Sequence, residues 1–101
     1  MVLTSIETFR SYSPNFSSAK ILQLTKNLVK KSDLKIDDNP IDEKACLRFI
    51  CNACTGNSDI CRVIWPHLLE KNIFETFLEN INVRFEILVL LYNVCQAFRA
   101  N

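Results

Sequence analysis

The sequence LRFICNAC at residues 47–54 matches LVLLYNVC at residues 88–95 when the chain is shifted by 41 residues. Each stretch contains Asn-x-Cys, at Asn52 and Asn93, with a leucine five residues before the asparagine. A period of this length is too long for a coiled coil and too short for a domain duplication. It falls in the range of helical solenoid repeats, roughly 40–47 residues. The repeat therefore predicts a helical scaffold whose function is binding rather than catalysis.

Composition points to the same fold class. A chain of 101 residues is at most one domain, and its 49% apolar residues, including seven Phe and one Trp, can form a core. It has a single glycine, whereas average usage is about 7%. Tight hairpins depend on glycine for positive φ, so they should be scarce. We therefore predict an all-α chain, more than half helical and without a sheet.

Charge, hydropathy and cysteine number limit the environment and the partners. Twelve basic and eleven acidic residues leave a net charge of +1, which argues against nucleic acid as the partner. The longest apolar run, Ile87–Tyr92, is far short of the ~20 residues needed to span a bilayer, and no signal peptide is evident. Five cysteines, an odd number, do not suggest a disulfide framework. We expect a cytoplasmic protein that binds neither a membrane nor a cofactor.

Local signals divide the chain into helices and breaks. The first 16 residues should be poorly ordered or form a short helix. The predicted helices cover about residues 17–31, 41–55, 58–65, 66–78 and 83–98. Ser17 or Ser18 can cap the first of them, Pro40 suits the first turn of the second, and Gly56 can end it in a left-handed conformation. Pro66 should break or kink the chain between the third and fourth helices.

Several of these segments resemble armadillo repeats. SDICRVI at residues 58–64 is similar to the first helix of such repeats, and the strings around Asn52 and Asn93 resemble their third helix. More narrowly, LRFICNACTGN at residues 47–57 and Ile64-Trp65 are similar to strings of ataxin-10 proteins. The resemblance covers roughly residues 41–98. It implies an armadillo-like solenoid fragment and a eukaryotic cytoplasmic binding scaffold linked to cytokinesis or neuronal maintenance.

In this interpretation residues 1–101 form a single segment of about one and two-thirds repeats. Residues 17–56 would be a partial repeat, and residues 57–98 a full repeat of three helices. The apolar faces of such units need cover, so we expect an exposed apolar patch on the C-terminal helices that includes Phe98. Further repeats of a longer parent chain, or a protein partner, would cover it. A closed helical bundle that self-associates through Ile87–Phe98 is another possibility.

A narrow polar stripe is the predicted binding surface. Its members recur at helical spacing on the two repeat helices: Lys44, Arg48, Asn52 and Thr55 on the first, and Val89, Asn93 and Gln96 on the second. Asparagine side chains donate and accept hydrogen bonds at once, which suits an extended peptide backbone. The alternative is that these asparagines are structural and bond a neighbouring helix or loop.

The cysteines suggest a different class of function, a small helical metal- or redox-active protein. Cys46, Cys51, Cys54 and Cys61 lie close together in sequence, and Cys51 and Cys54 form a C-x-x-C. A structural zinc site usually takes two such pairs on turns, whereas here a single pair lies within a helix. The simpler interpretation is four small buried hydrophobic residues. Because His67 is the only histidine and no glycine-rich phosphate loop exists, we expect neither catalytic nor metal-ligating residues.

Overall fold

Helices dominate the part of the chain that the computed structural model describes, residues 17–36, 38–69 and 73–99. They are α1 (Ser18–Lys30), α2 (Glu43–Cys54), α3 (Ser58–Leu69), α4 (Ile73–Glu79) and α5 (Arg84–Arg99), and a two-stranded ladder joins β1 (Lys35–Ile36) to β2 (Asn39–Pro40). Of the described residues 76% are helical and 5% are in strands, and they form a compact globule. The predicted helical class is confirmed. The expectation for residues 1–16 lies outside the described residues.

The first helix begins and ends as its sequence indicates. The Ser17 hydroxyl accepts a hydrogen bond from the Lys20 amide at 3.3 Å, which satisfies one of the unpaired donors of the first turn. Lys31 then adopts a left-handed conformation with φ of 57°. This allows the Ser32 amide to donate to the Asn27 carbonyl at 3.1 Å, the closing bond of a Schellman motif. A lysine thus occupies a position that glycine would fill without strain.

The linker before α2 contains the short antiparallel ladder, so the prediction of no sheet is wrong there. Lys35 pairs with Pro40 across a turn in which Asp38 has φ of 68°. The turn is anchored because Ile36 is buried, with 3% of its surface exposed. The mostly polar composition of the linker gives no indication that Ile36 is buried.

The start of α2 also differs from the predicted one, because the ladder includes Pro40. Pro40 lies in β2 rather than in the first turn of the helix, and the Ile41 amide donates to the Leu34 carbonyl at 3.0 Å, which prolongs the ladder. The helix is capped instead by Asp42, whose Oδ1 accepts from the Ala45 amide at 2.8 Å. A proline in an edge position of a ladder is compatible with its missing N–H.

Of the break or kink predicted at Pro66, the break is wrong, because α3 runs through this residue as one helix, and the kink stays a prediction. A proline inside a helix deprives the carbonyl four residues earlier of its partner, here that of Arg62. Arg62 and Pro66 are both exposed, so water can satisfy that carbonyl. The helix begins after Asn57, whose Oδ1 accepts from the Ile60 amide at 3.2 Å.

The core forms where two pairs of helices meet, α1 on α3 and α2 on α5. Helix α2 is the most enclosed, with eight of its 12 residues buried. The largest fully buried apolar side chains are Phe49, Phe77, Ile21, Leu28, Leu47, Ile50, Ile64, Leu68, Ile87 and Leu90. Each contributes about 1.5–3 kcal/mol through removal from water. Within the described ranges, every helix is too short or too polar to cross a bilayer.

Candidate interaction site

Helices α2 and α5 lie side by side and run in the same direction. Near their N-terminal ends Arg48 Nε lies 3.0 Å from Glu86 Oε2. Towards their C-terminal ends Asn93 Nδ2 donates to Thr55 Oγ1 at 3.4 Å. In both pairs the two partners are 38 residues apart in sequence, with the α2 residue first. A constant separation of this kind means that the two helices are parallel. This parallel contact brings together residues from both stretches of the sequence repeat.

The ion pair between Arg48 and Glu86 is an internal part of this contact. The Glu86 side chain is only 2% exposed, and that of Arg48 is 27% exposed. The Cys51 thiol also donates to the Glu86 backbone carbonyl, at 3.3 Å. A carboxylate this deeply buried needs a charged or hydrogen-bonding partner, which Arg48 supplies. Glu86 is not among the site residues predicted from the sequence, although it is the one acid within the largely apolar residues 83–98, which is a usable signal.

Asn93 is a second polar bridge between the same helices. Its side-chain amide donates to the Cys51 carbonyl at 3.1 Å as well as to Thr55. Asn93 and Val89 are each only 4% exposed. Neither therefore lies on an open stripe, and the bonds of Asn93 place it inside the contact between α2 and α5. Of the two roles that the sequence left open for Asn93, this geometry is that of the structural one.

The other members of the predicted stripe are placed differently. Lys44 and Gln96 are exposed, whereas Arg48, Asn52 and Thr55 are partly buried. The Thr55 hydroxyl donates back to the Cys51 carbonyl at 3.0 Å and so joins the Asn93 bridge. Lys44 lies at the opposite end of α2, beside the turn that precedes α5. The seven residues therefore do not form one continuous exposed row.

A surface cleft of about 400 Å³ opens beside the Asn93 bridge. It lies between the α2–α3 turn and the second half of α5, and its lining residues are Cys54, Gly56, Asn57, Ser58, Tyr92, Asn93, Gln96 and Ala97. Gly56 has φ of 68°, as predicted for the residue that ends α2, and no described residue lies within 4 Å of where a Cβ would be. The cleft combines hydrogen-bonding side chains with an accessible turn, an arrangement that can accept an extended segment of another chain.

The cysteines divide into four buried thiols and one exposed thiol, Cys95. Desolvation, reinforced by Glu43, raises the pKa of Cys46 far above its usual range. Desolvation and the nearby Glu86 raise the pKa of Cys51 to about 12. Residues 17–36, 38–69 and 73–99 contain no group of three or more side chains suited to hold a metal ion.

Cys54 and Cys61 are close neighbours at the α2–α3 turn. The Cys54 thiol donates to Cys61, and this hydrogen bond together with desolvation raises the pKa of Cys54 far above its usual range. The same bond lowers the pKa of Cys61, against the effect of its own burial. The Cys61 thiol in turn lies 3.6 Å from the Cys54 carbonyl. The Cys54 thiol therefore stays protonated at neutral pH, and the two cysteines pack as a hydrogen-bonded pair.

The outward side of α5 carries exposed apolar side chains. Phe85 is 58% exposed, Leu88 and Tyr92 are each 47% exposed, and Phe98 is 45% exposed. Phe98 contacts Trp65 of α3 edge-on, with ring centroids 6.4 Å apart. Phe98 is thus exposed, as the predicted apolar patch on the C-terminal helices requires, and the continuity of that patch stays a prediction.

No family model matches this chain, and no curated protein or solved structure is significantly similar to it.

Proposed function

We propose that this chain is a non-catalytic protein–protein interaction scaffold of the armadillo-like, ataxin-10-like type. In this proposal it is a solenoid segment of about one and two-thirds repeats that acts in the cytoplasm, in a process related to cytokinesis or neuronal maintenance. Its partners are another protein or further repeats of a longer parent chain. The observation that carries the proposal is the parallel contact between α2 and α5.

That contact supports a repeat architecture because of its direction. In a simple up-and-down bundle, successive helices alternate in direction and neighbours are mostly antiparallel. In a solenoid, equivalent helices of consecutive units stack in parallel, each unit contacting only its neighbours. Helices α2 and α5 are separated in sequence by α3 and α4, yet they pack in parallel, and they are the two helices that carry the 41-residue repeat.

The cleft beside Asn93 supports the binding role. The Asn93 amide nitrogen is engaged by α2. The other lining residues with polar side chains that could bind a ligand are Asn57, Ser58, Tyr92 and Gln96. Amides and hydroxyls both donate and accept, as the backbone of an extended peptide requires. The ligand class is therefore an uncharged or weakly charged peptide segment in an extended conformation.

Selection from a random peptide display library tests this role. Selected peptides should bind the full chain, and their amides should perturb NMR signals around Gln96. Gln96→Ala and Tyr92→Phe should each weaken binding about three- to tenfold, the value of one hydrogen bond. Asn39→Ala, an exposed asparagine in β2, is the matched control and should leave affinity unchanged. Peptides insensitive to both cleft variants would contradict the proposal.

The alternative of a metal- or redox-active protein has less support. Zinc binding and thiol redox chemistry both need thiolates, and burial opposes the thiolate at Cys46 and Cys51. Metal analysis of the chain purified without chelator separates the two functions. Bound zinc or iron in a stoichiometric amount would favour the alternative over the scaffold.

A further inference from the structure

We propose that the outward face of α5 docks an amphipathic helix of a partner protein whose apolar side is bordered by acidic residues. The surface concerned, the α5 outer stripe, consists of Phe85, Leu88, Tyr92 and Cys95. This inference gives the proposed scaffold a second ligand besides the extended peptide of the cleft, and therefore rests on that proposed function. Tyr92 belongs to both surfaces.

The stripe has the spacing of a helix-binding seam. Its members follow one another at intervals of three, four and three residues, so they line a single side of α5. Phe85, Leu88 and Tyr92 are each about half exposed or more, and Cys95 is exposed as well. A row of this kind, about three helical turns long, is the surface that an amphipathic helix covers with its own apolar residues.

The sequence repeat shows what the equivalent side of α2 does. A shift of 41 residues relates Leu88, Tyr92 and Cys95 to Leu47, Cys51 and Cys54. These three α2 residues are buried, with 0–1% exposed. Cys51 directly contacts the neighbouring helix, through its hydrogen bond to the Glu86 carbonyl. Phe85 corresponds to Lys44, which is exposed on α2. The part of this side that begins at Leu47 is thus covered on α2, and its counterpart from Leu88 onwards is open on α5.

The charges around the stripe define the partner. Helix α5, all of which the structure describes, exposes Arg99 at its end and Arg84 near its start, where the Arg84 Nε also donates to the Leu78 carbonyl at 2.6 Å. Its one acidic residue, Glu86, is buried and paired with Arg48. Arg62 of α3 adds a third exposed cation, 6.0 Å from the Phe98 ring, and the exposed acid Asp59 lies one turn before it on α3. An apolar row flanked by arginines is complementary to a helix with glutamate or aspartate beside its apolar side.

The same charges disfavour a second copy of this chain as the occupant. A parallel pair of α5 helices would place Arg84 beside Arg84 and Arg99 beside Arg99. An antiparallel pair would bring Arg84 of one copy towards the Arg99 end of the other. Like charges at such an interface weaken association and act against the self-pairing.

Two designed peptides test the proposal. Both have three heptads with leucine at the two apolar positions; one has glutamate and the other lysine at the flanking positions. The reporter is alkylation of Cys95 in the full chain by a maleimide, since the remaining cysteines are buried. The glutamate peptide should bind and protect Cys95, and the lysine peptide should do so at least about tenfold more weakly.

Matched variants locate the contact. Leu88→Ala should weaken binding of the glutamate peptide about tenfold, whereas Leu69→Ala, at a somewhat more exposed leucine at the end of α3, should not. Arg99→Gln should weaken it about two- to fivefold at low salt, and Lys30→Gln, in the last turn of α1, should have no effect.

Three results would overturn the inference. They are equal binding of the two peptides, equal losses from Leu88→Ala and Leu69→Ala, and slow alkylation of Cys95 in the free chain. The last would mean that residues 1–16 or a second copy already covers the stripe, and sedimentation would tell which. A chain that binds extended peptides in the cleft but not the acidic helix would refute this inference alone and leave the proposed scaffold standing.

Discussion

Glu86 lies almost completely buried between α2 and α5, with its Oε2 3.0 Å from the Arg48 Nε, which itself reaches the surface. The two helices are therefore joined by a charge that cannot be solvated without separating them. A buried ion pair adds little net stability, but the loss of one partner alone is costly because it leaves the other charge uncompensated. Single and double substitutions of the pair should therefore lower stability by different amounts.

Arg48→Met should lower the free energy of unfolding by about 2–4 kcal/mol, because the buried Glu86 carboxylate loses its cation. The double variant Arg48→Met with Glu86→Met should recover most of this loss, because an apolar pair of similar volume replaces the charges. Urea unfolding of Arg48→Met, Glu86→Met and the double variant measures the coupling between the two residues. Lys44→Met, an exposed change on the same helix, is the control and should alter stability by less than about 0.5 kcal/mol. Strictly additive losses would contradict the coupling.

Asn93→Ala should destabilise the fold by about 1–3 kcal/mol, since the amide that bridges to the Cys51 carbonyl and the Thr55 hydroxyl is removed from a buried contact. Gln96→Ala, one turn further along α5 and exposed, should change stability by less than about 0.5 kcal/mol. Thermal or urea unfolding distinguishes them. If Asn93 served a ligand alone, the unbound Asn93→Ala chain would be as stable as the parent.

Lys31→Gly should stabilise the chain by up to about 1 kcal/mol. Lys31 has φ of 57°, a left-handed conformation that is strained for lysine and unstrained for glycine. Lys30→Gly, one residue earlier and within α1, should instead cost about 0.5–1 kcal/mol. The opposite signs of the two neighbouring changes are the readout in urea unfolding. A loss of stability in both would show that Lys31 makes a contact worth more than the strain.

Stability should fall as pH rises above about 9 in reducing buffer. The buried thiol of Cys51 has a pKa of about 12 in the fold and an ordinary value of 9.0 when unfolded. Between these values the unfolded chain releases a proton that the folded chain keeps, so alkaline pH favours unfolding by up to about 1.4 kcal/mol per pH unit for each such thiol. Below pH 9 this contribution is fully present and constant.

Urea midpoints at pH 8, 9.5 and 10.5 measure this slope. Cys51→Ala should flatten it, because the variant removes one of the thiols that titrates differently in the two states. Cys95→Ala, at the exposed cysteine, should leave the slope as it is in the parent chain. An unchanged slope in Cys51→Ala would mean that this thiol is open to water in solution.

Helix locations followed from local signals that act within a few residues. The Ser17 cap and the Gly56 turn are predicted by residue type, and both are observed. Pro40 and Pro66 were mispredicted, because their effect depends on what lies opposite them: a buried Ile36 in one case, and solvent beside Arg62 in the other. Sequence spacing alone does not contain that tertiary information.

The candidate site, too, could be predicted only in part from the sequence. The recurrence of Asn52 and Asn93 could be found in the sequence, and it marks the two helices that come into contact. Which side of α5 faces α2 could not be found, because that helix is apolar around nearly its whole circumference and its polar residues do not distinguish inside from outside. Asn93 consequently lies inside the contact, and Gln96 alone of its predicted neighbours on α5 is open to a ligand.

The parallel contact between α2 and α5 also has a kinetic consequence. Two parallel helices cannot be joined by a short loop, and here residues 38 positions apart must meet after the chain has passed through α3 and α4. Contacts between residues so distant in sequence form late, since the entropy of closing the intervening loop must be overcome first. Weakening the Arg48–Glu86 pair should therefore accelerate unfolding much more than it slows folding, so that this contact sets how long the folded chain lasts rather than how fast it forms.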